Sequence, residues 1–382
     1  MRSILGVLIL ALAIVATASA GTPPRVRAEL VPSEAVVGNP WRAVVSISRP
    51  VKATLEARGP TTIRSKFARV RKSGRYAGTL RFPAAGTWTI DALVGRARTR
   101  LGSVEADLAR DPLLVDPFTF TVESAGTLLV GNLREGALVR VSRGARAVPV
   151  AQRMVGQLTT STQGTVYALA DQALYRLDGQ TLVRIAGTGQ SGHSGDGGPA
   201  LSASLGGTTG AAVDAAGNIY IGEYEGWIRK IAPDGTISTI AGTGAQGYSG
   251  DGGPSVQATF NHPHGLAVGR DGALYVADTF NARIRRIDLK TGIVSTFANA
   301  GVVVSLAVSP DGTIYAADVP QGGVGGGVTA TSPSGSVTRL FSGTATNVSV
   351  ATDGTLYVVG NETKRIFRLD PATRKTETVA RG

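Results

Sequence analysis

Imidazoles are scarce in this chain: His193, His262 and His264 are its three histidines among 382 residues, and cysteine is absent. Thiol catalysis, cysteine-ligated zinc and disulfide scaffolds are thereby excluded. A neutral imidazole can ligate a divalent ion or take a proton, so metal-assisted catalysis is the chemistry to weigh. Such a centre also needs several oxygen ligands converging on one point. The carboxylates that recur in pattern are Glu223, Asp278 and Asp318, each three residues beyond a tyrosine (Tyr220, Tyr275, Tyr315). Asn281 and Arg283 follow Asp278 closely, and an ion pair of Asp278 with Arg283 across a hairpin is the simplest reason for that spacing. Nucleophilic catalysis lacks its residues. No serine stands in a G-x-S-x-G elbow after a strand, and no histidine–acid pair has a triad's spacing.

Two glycine-rich stretches, Gly187–Leu205 (GTGQSGHSGDGGPALSASL) and Gly242–Phe260 (GTGAQGYSGDGGPSVQATF), repeat with a register of 55 residues. A phosphate-cradling loop would need a lysine and a following helix, and neither SGDGG copy has the lysine. Pro199 and Pro254 suit the first turn of short helices, 199–205 and 254–260. Asp196 and Asp251 would then accept backbone N–H groups at those helix starts. Calcium coordination by the same two aspartates with neighbouring carbonyls is the rival reading.

Positioning these groups falls to a repeat. Glycine stands three residues before Leu129, Tyr167, Tyr220, Tyr275, Tyr315 and Tyr357, at 126, 164, 217, 272, 312 and 354. A hairpin turn that requires positive φ accounts for it, since only glycine adopts that conformation without cost. Asp271, Asp311 and Asp353 complete Asp-Gly turns at three of these sites. Short alternating strands flank each turn and two more follow, as in Arg283–Ile287 and Val294–Phe297. Four antiparallel strands per unit is the pattern of a propeller blade. The predicted fold is all-β, with a six-bladed β-propeller over 118–382. In such a ring the inner strands begin at the channel mouth with Phe118, Gly156, Thr209, His264, Val304 and Thr346. That set holds no carboxylate, which argues against a metal centre. The ends of the second strands, Asn132, Ala170, Glu223, Asp278, Asp318 and Gly360, come to the same face. The sequence leaves open whether Phe118–Val122 opens the first unit or closes the preceding domain.

The stretch Asp278-Thr279-Phe280-Asn281-Ala282-Arg283-Ile284-Arg285-Arg286-Ile287 resembles the NHL repeat, with Ala282 where the motif's histidine stands. The twin glycine-rich loops are similar to the long loop of many bacterial NHL proteins. The resemblance covers about 118–382 and is specific in the third and fourth units. It implies a six-bladed propeller and a binding or scaffolding role, while some relatives of similar architecture are metal-dependent lactonases or lyases.

Ahead of the repeat, Arg2, an apolar run from Ile4 to Ala16 and Ala18-Ser19-Ala20 read as a cleaved export signal over 1–20. The run is too short to span a bilayer as a helix, so a secreted or envelope location follows, with no transmembrane segment once the signal is removed; an uncleaved membrane anchor is the rival reading. Residues 21–108 alternate as strands and suggest a small immunoglobulin-like β-sandwich, joined through a linker at 109–117 that contains Asp111-Pro112 and Asp116-Pro117. Residues 21–123 hold 17 basic and 9 acidic groups, so most of the formal net charge of +12 resides there. Its densest patch is Arg64, Lys66, Arg69, Arg71, Lys72 and Arg75, a solvated strand face or an attachment point for an anionic polymer. Nucleic acid is disfavoured, because no aromatics interleave with these charges. The expected protein is a monomeric, non-catalytic binder or scaffold without cofactor. Its partner is another protein or an envelope polymer, met through a propeller face carrying Glu223, Asp278, Asn281, Arg283, Asp318, His262 and His264.

Overall fold

A computed structural model describes residues 26–30, 34–36, 40–47, 53–58, 62–66, 68–70, 75–81, 86–94, 97–107, 117–124, 127–132, 136–142, 147–320, 326–360 and 364–381. The expected export signal 1–20, the linker apart from Pro117, and Arg71 and Lys72 lie outside them. No helix among the described residues is long and apolar enough to cross a membrane. The chain divides into two compact units, Met1–Ala109 and Arg110–Gly382.

The N-terminal unit contains a four-stranded and a five-stranded sheet. In the larger sheet Ala53–Arg58 pairs antiparallel with Gly86–Val94, setting Leu55 opposite Ala92 and Ala57 opposite Ile90. All four are fully buried, because the period of two sends alternate residues to one face. The other face of the same pair sets Glu56 beside Asp91, and both are buried. Two carboxylates side by side repel, and arginines resolve the conflict. Arg98 reaches Glu56 at 2.8 Å and Asp91 at 3.1 Å, Arg58 reaches Asp91 at 2.8 Å, and Arg64 reaches Glu56 at 2.6 Å. Arg64 of the basic patch is therefore neutralised within its own sheet. Lys66 is exposed at the end of Thr62–Lys66, while Arg69 and Arg75 lie in the strands Ala68–Val70 and Arg75–Arg81.

The C-terminal unit is built from four-stranded antiparallel sheets, each formed by strands consecutive in sequence. Pro117–Ser124 opens the first of them by pairing with Thr127–Asn132, so Phe118–Val122 belongs to this unit. Apolar clusters fill the seams between neighbouring sheets. One joins Leu169 and Leu174 of the second sheet to Ile219 and Ile221 of the third. Another joins Phe120 and Val130 of the first sheet to Val359 and Ile366 of the last. The inner strands are stitched as well: Thr209 Oγ1 donates to the Pro263 carbonyl, His264 Nδ1 to that of Val304 and Thr346 Oγ1 to that of Phe118. Sheets that pack face to face around an axis, the last against the first, form a β-propeller. The turn glycines Gly164, Gly217, Gly272, Gly312 and Gly354 all take φ between 74° and 85°, as the repeat required; Gly126 lies outside the described residues.

The twin loops differ from expectation. Pro199 and Pro254 precede single three-residue 3-10 turns, Ala200–Ser202 and Ser255–Gln257, neither capped by a side chain. Asp196 and Asp251 thus do not serve helix starts. The loops instead pair with the outer strand of the sheet that follows. Gly197 N–H donates to the Ile237 carbonyl and Ile237 N–H to that of Gly198, and the same exchange links Gly252 and Gly253 with Val294. Each loop thereby covers a sheet edge that would otherwise expose unpaired backbone groups.

Candidate functional site

The register of the strands carries Glu223 to the end of Ile219–Glu223, opposite Thr208, and Asp278 to the end of Ala273–Asp278, opposite Pro263. This brings the acids to the face where the inner strands begin, near His264. They do not present themselves to solvent there: Glu223 and Asp278 are 0 % exposed and Asp318 is 5 %. The expectation of an acidic recognition surface formed by these three is corrected accordingly. An isolated buried carboxylate is too costly to persist, and the partners that sustain them are two arginines the sequence reading passed over.

Arg229 and Arg285, on the third strands of their sheets, are also 0 % exposed. Arg229 donates to Glu223 at 3.2 Å and to the loop aspartate Asp196 at 2.6 Å, and also to the Ser194 carbonyl at 3.0 Å. Arg285 repeats the arrangement, donating to Asp278 at 3.3 Å, Asp251 at 2.7 Å and the Ser249 carbonyl at 3.0 Å. Five N–H donors in a planar fork suit a guanidinium to hold two acids and a carbonyl at once. Each cluster is a latch that fastens a glycine-rich loop to the sheet behind it. The outer strand joins in: Thr239 N–H donates to Asp196 Oδ2 at 3.0 Å, and Thr296 Oγ1 to Asp251 Oδ2 at 2.7 Å. The oxygens that a calcium ion would require on Asp196 and Asp251 are already engaged with these donors.

The titration behaviour follows from these surroundings. Burial raises Glu223 above the usual carboxylate range, although the hydrogen bond from His193 and the charge of Arg229 work the other way. Burial likewise raises Asp278, against the Asn261 N–H, Asn281 and Arg285. Asp196 and Asp251 lie below their ordinary value. Burial opposes that direction and is outweighed by Thr239 and Arg229 for the first, and by Thr296, Tyr248 and Arg285 for the second.

The pairing expected between Asp278 and Arg283 does not form. The two residues face each other in the ladder, yet the Asp278 carboxylate accepts from Asn261 N–H at 2.7 Å, from Asn281 Nδ2 at 2.9 Å and from Arg285. Arg283 donates to the Asn281 carbonyl at 2.7 Å and lies over the Tyr248 ring at 4.0 Å. Asn281 also donates to the Gly247 carbonyl at 2.7 Å, tying the motif to the second loop. Among the described residues Asp318 pairs with Arg339, at 3.4 Å, and its buried Oδ1 has no hydrogen-bond partner.

The histidines separate into different roles. His193 is stacked on Trp227 at 3.9 Å and bonded to Glu223 at 3.0 Å and Thr239 at 3.2 Å, so it belongs to the first latch. His264 donates to the Val304 carbonyl at 3.0 Å, and burial lowers its pKa. His262 lies between the rings of Tyr224 and Phe280. Among the described residues no group of three or more His, Asp or Glu side chains could hold a metal. A groove of about 630 Å³ opens elsewhere, beside the turn glycines Gly164 and Gly179. Its charges are paired internally, Arg140 with Glu123 at 2.7 Å and Arg176 with Asp178 at 2.8 Å. Among the described residues the loops around these acids present large aromatics to solvent: Tyr224, Tyr248 and Phe280 are 49 %, 43 % and 54 % exposed.

Comparison with known proteins agrees with this architecture. Residues 260–287 match the NHL repeat, the segment that contains Asp278, Asn281 and Arg285. The chain is 38 % identical over 102 residues to human teneurin-4, covering 23 % of this chain and 4 % of that protein. It is 39 % identical over 82 residues to NHL repeat-containing protein 2 of Bos taurus, covering 21 % of this chain and 11 % of the relative. The matched stretches are thus small parts of much longer proteins. A gluconolactonase structure from Xanthomonas campestris superposes with a TM-score of 0.52 at 15 % identity, over 69 % of this chain and 86 % of that one, a likeness of fold alone. With four-stranded sheets throughout and a match to the NHL repeat at its fourth sheet, the C-terminal unit is a β-propeller that carries an NHL repeat at 260–287.

Proposed function

We propose that the chain is an exported, non-catalytic binding or scaffold protein that meets another protein through the aromatic-bearing face of a six-bladed propeller, with an immunoglobulin-like sandwich ahead of it. One observation carries the reading. Glu223 and Asp278 of that face are occupied by structural arginines, while large aromatic side chains stand exposed in the loops around them. Buried acids that each hold an arginine cannot also serve as catalytic bases without breaking the latch, whereas exposed aromatics clustered on one face are the residues that anchor interfaces. The metal-dependent lyase or lactonase reading requires converging oxygen ligands, which the described residues do not gather, and it ranks second. Export rests on the sequence of 1–20, and the sandwich on the two sheets of the N-terminal unit.

The test is site-directed crosslinking in the producing cell. A photoreactive residue at Tyr224 or Phe280 is expected to give a discrete protein adduct. The same residue at Lys290, in the exposed turn at the far end of the fourth sheet, is expected to give none. Equal labelling at both ends, or none at either, removes the proposal.

A further inference from the structure

Two polar atoms at one seam of the same face, His262 Nε2 and Glu225 Oε2, have no partner among the described residues. His262 is 7 % exposed, and its φ of 55° lies in the left-handed region that a non-glycine residue enters only at a conformational cost. Its Nδ1 sits 2.8 Å from Asn261 Oδ1. A carboxamide oxygen only accepts, so the proton is on Nδ1 and Nε2 is left as an acceptor. That Nε2 is buried and has no hydrogen-bond partner. Tyr224, from the third sheet, meets the imidazole edge-on with ring centroids 3.7 Å apart, and Phe280 meets it at 4.3 Å. Glu225 Oε2 is also buried without a partner among the described residues. It occupies the space that a side chain at Gly206 would need. Glu225 is near enough for its charge to favour the imidazolium, but burial outweighs it and holds His262 below its ordinary pKa.

What this seam leaves without a partner attracts a donor or a cation. It has a buried imidazole lone pair and a buried carboxylate oxygen, beside two half-exposed rings. A sugar would also stack on the rings, but its hydroxyls ask for donors as well as acceptors, and both unpartnered atoms here accept. A guanidinium fits better, since its plane lies against aromatic faces while its edge donates to several acceptors. We propose that the seam formed by Tyr224, Glu225, His262 and Phe280 binds the guanidinium of an arginine side chain presented by a protein partner. The inference rests on the binding reading above and names what that face recognises.

Because the chain has three histidines, a ring 1H–13C NMR correlation spectrum reports His262 directly, once His193→Gln and His264→Gln have assigned the other two signals. Titration with acetyl-Gly-Arg-Gly-amide is expected to move the His262 resonances and leave those of His193 in place. The citrulline peptide, equal in shape and uncharged, is expected to move neither. Glu225→Gln should weaken the arginine peptide about tenfold, with the unperturbed His193 signal reporting an intact fold. An equal response to citrulline, or a silent His262 at millimolar arginine peptide, overturns the inference. Crosslinked adducts at Tyr224 with a silent titration would sink the guanidinium assignment alone. A responsive His262 without adducts would sink the protein-partner reading and leave a cation site.

Discussion

The third and fourth sheets bury an arginine each, and the fifth keeps its arginine outside. The difference comes from a cross-strand exchange. In the third sheet Arg229 stands opposite Thr239, and in the fourth Arg285 stands opposite Thr296, with arginine on the third strand and threonine on the fourth. In the fifth sheet Thr329 occupies the third strand and Arg339 the fourth. Arg339 is 42 % exposed in its side chain and reaches Asp318 at 3.4 Å. A fully buried guanidinium needs acceptors for most of its donors, and one acid does not supply them. The third and fourth sheets obtain the second acid from a glycine-rich loop, through Asp196 and Asp251. The fifth sheet has no such loop before it, and its arginine stays at the edge.

The largest effect that would break this comparison is Arg285→Met. It strands Asp278 as an uncompensated buried charge, and a loss of about 3–5 kcal/mol is expected, read as a fall in the midpoint of denaturant unfolding. Arg229→Met should behave alike, and adding Asp278→Asn to Arg285→Met should recover much of the loss. If Arg285→Met is as mild as a surface change, the latch is no latch. Asp251→Asn keeps the shape of the loop while weakening charge-assisted bonds, so a loss of about 1–2 kcal/mol is expected in the same measurement. Arg339→Ala in the fifth sheet should cost about 0.5 kcal/mol or less, since a half-exposed pair is screened by solvent.

Acid sharpens the contrast. Asp196 and Asp251 have folded pKa values below the unfolded ones, so their stabilisation is full above about pH 4 and fades as pH falls through the folded values. Glu223 and Asp278 are raised; the folded chain holds their protons more tightly, and they detract from stability as pH rises through the folded values. The melting temperature is therefore expected to fall on acidification below about pH 4, and the double variant Asp196→Asn, Asp251→Asn should flatten that limb. A limb of unchanged steepness would place the acid-sensitive groups elsewhere. The smallest expected effect is that of calcium or zinc, which should leave the melting temperature unchanged because the loop acids already hold arginine and threonine. A rise that chelator cancels would return the metal-dependent enzyme to first place.

The sheets were legible because period-two alternation and turn glycines act locally. Gly217 at φ 85° and Gly312 at φ 85° do what their spacing required. The arrangement of the acids at one face was legible too, since hairpin register fixes strand ends. Their burial was not. It depends on Arg229 and Arg285, 56 residues apart, a spacing close to the 55-residue register of the loops. That near-match of two arginines to two loop aspartates is the one trace of the latches in the sequence. Tyr224, Glu225 and Phe280 left no such trace, because what distinguishes them is exposure and a missing partner, and neither is written in residue type. The short helices at Pro199 and Pro254 failed for a related reason: the backbone there bonds to an outer strand distant in sequence.

From Gly187 to Ala241 the chain carries its own acid, its own base, the threonine behind them and the strip that covers its outer edge. The apolar faces of this segment still pack on the sheets to either side, but its latch is closed by residues of its own. The module from Gly242 to Asn299 is equipped alike, so a latch broken in one leaves the other closed.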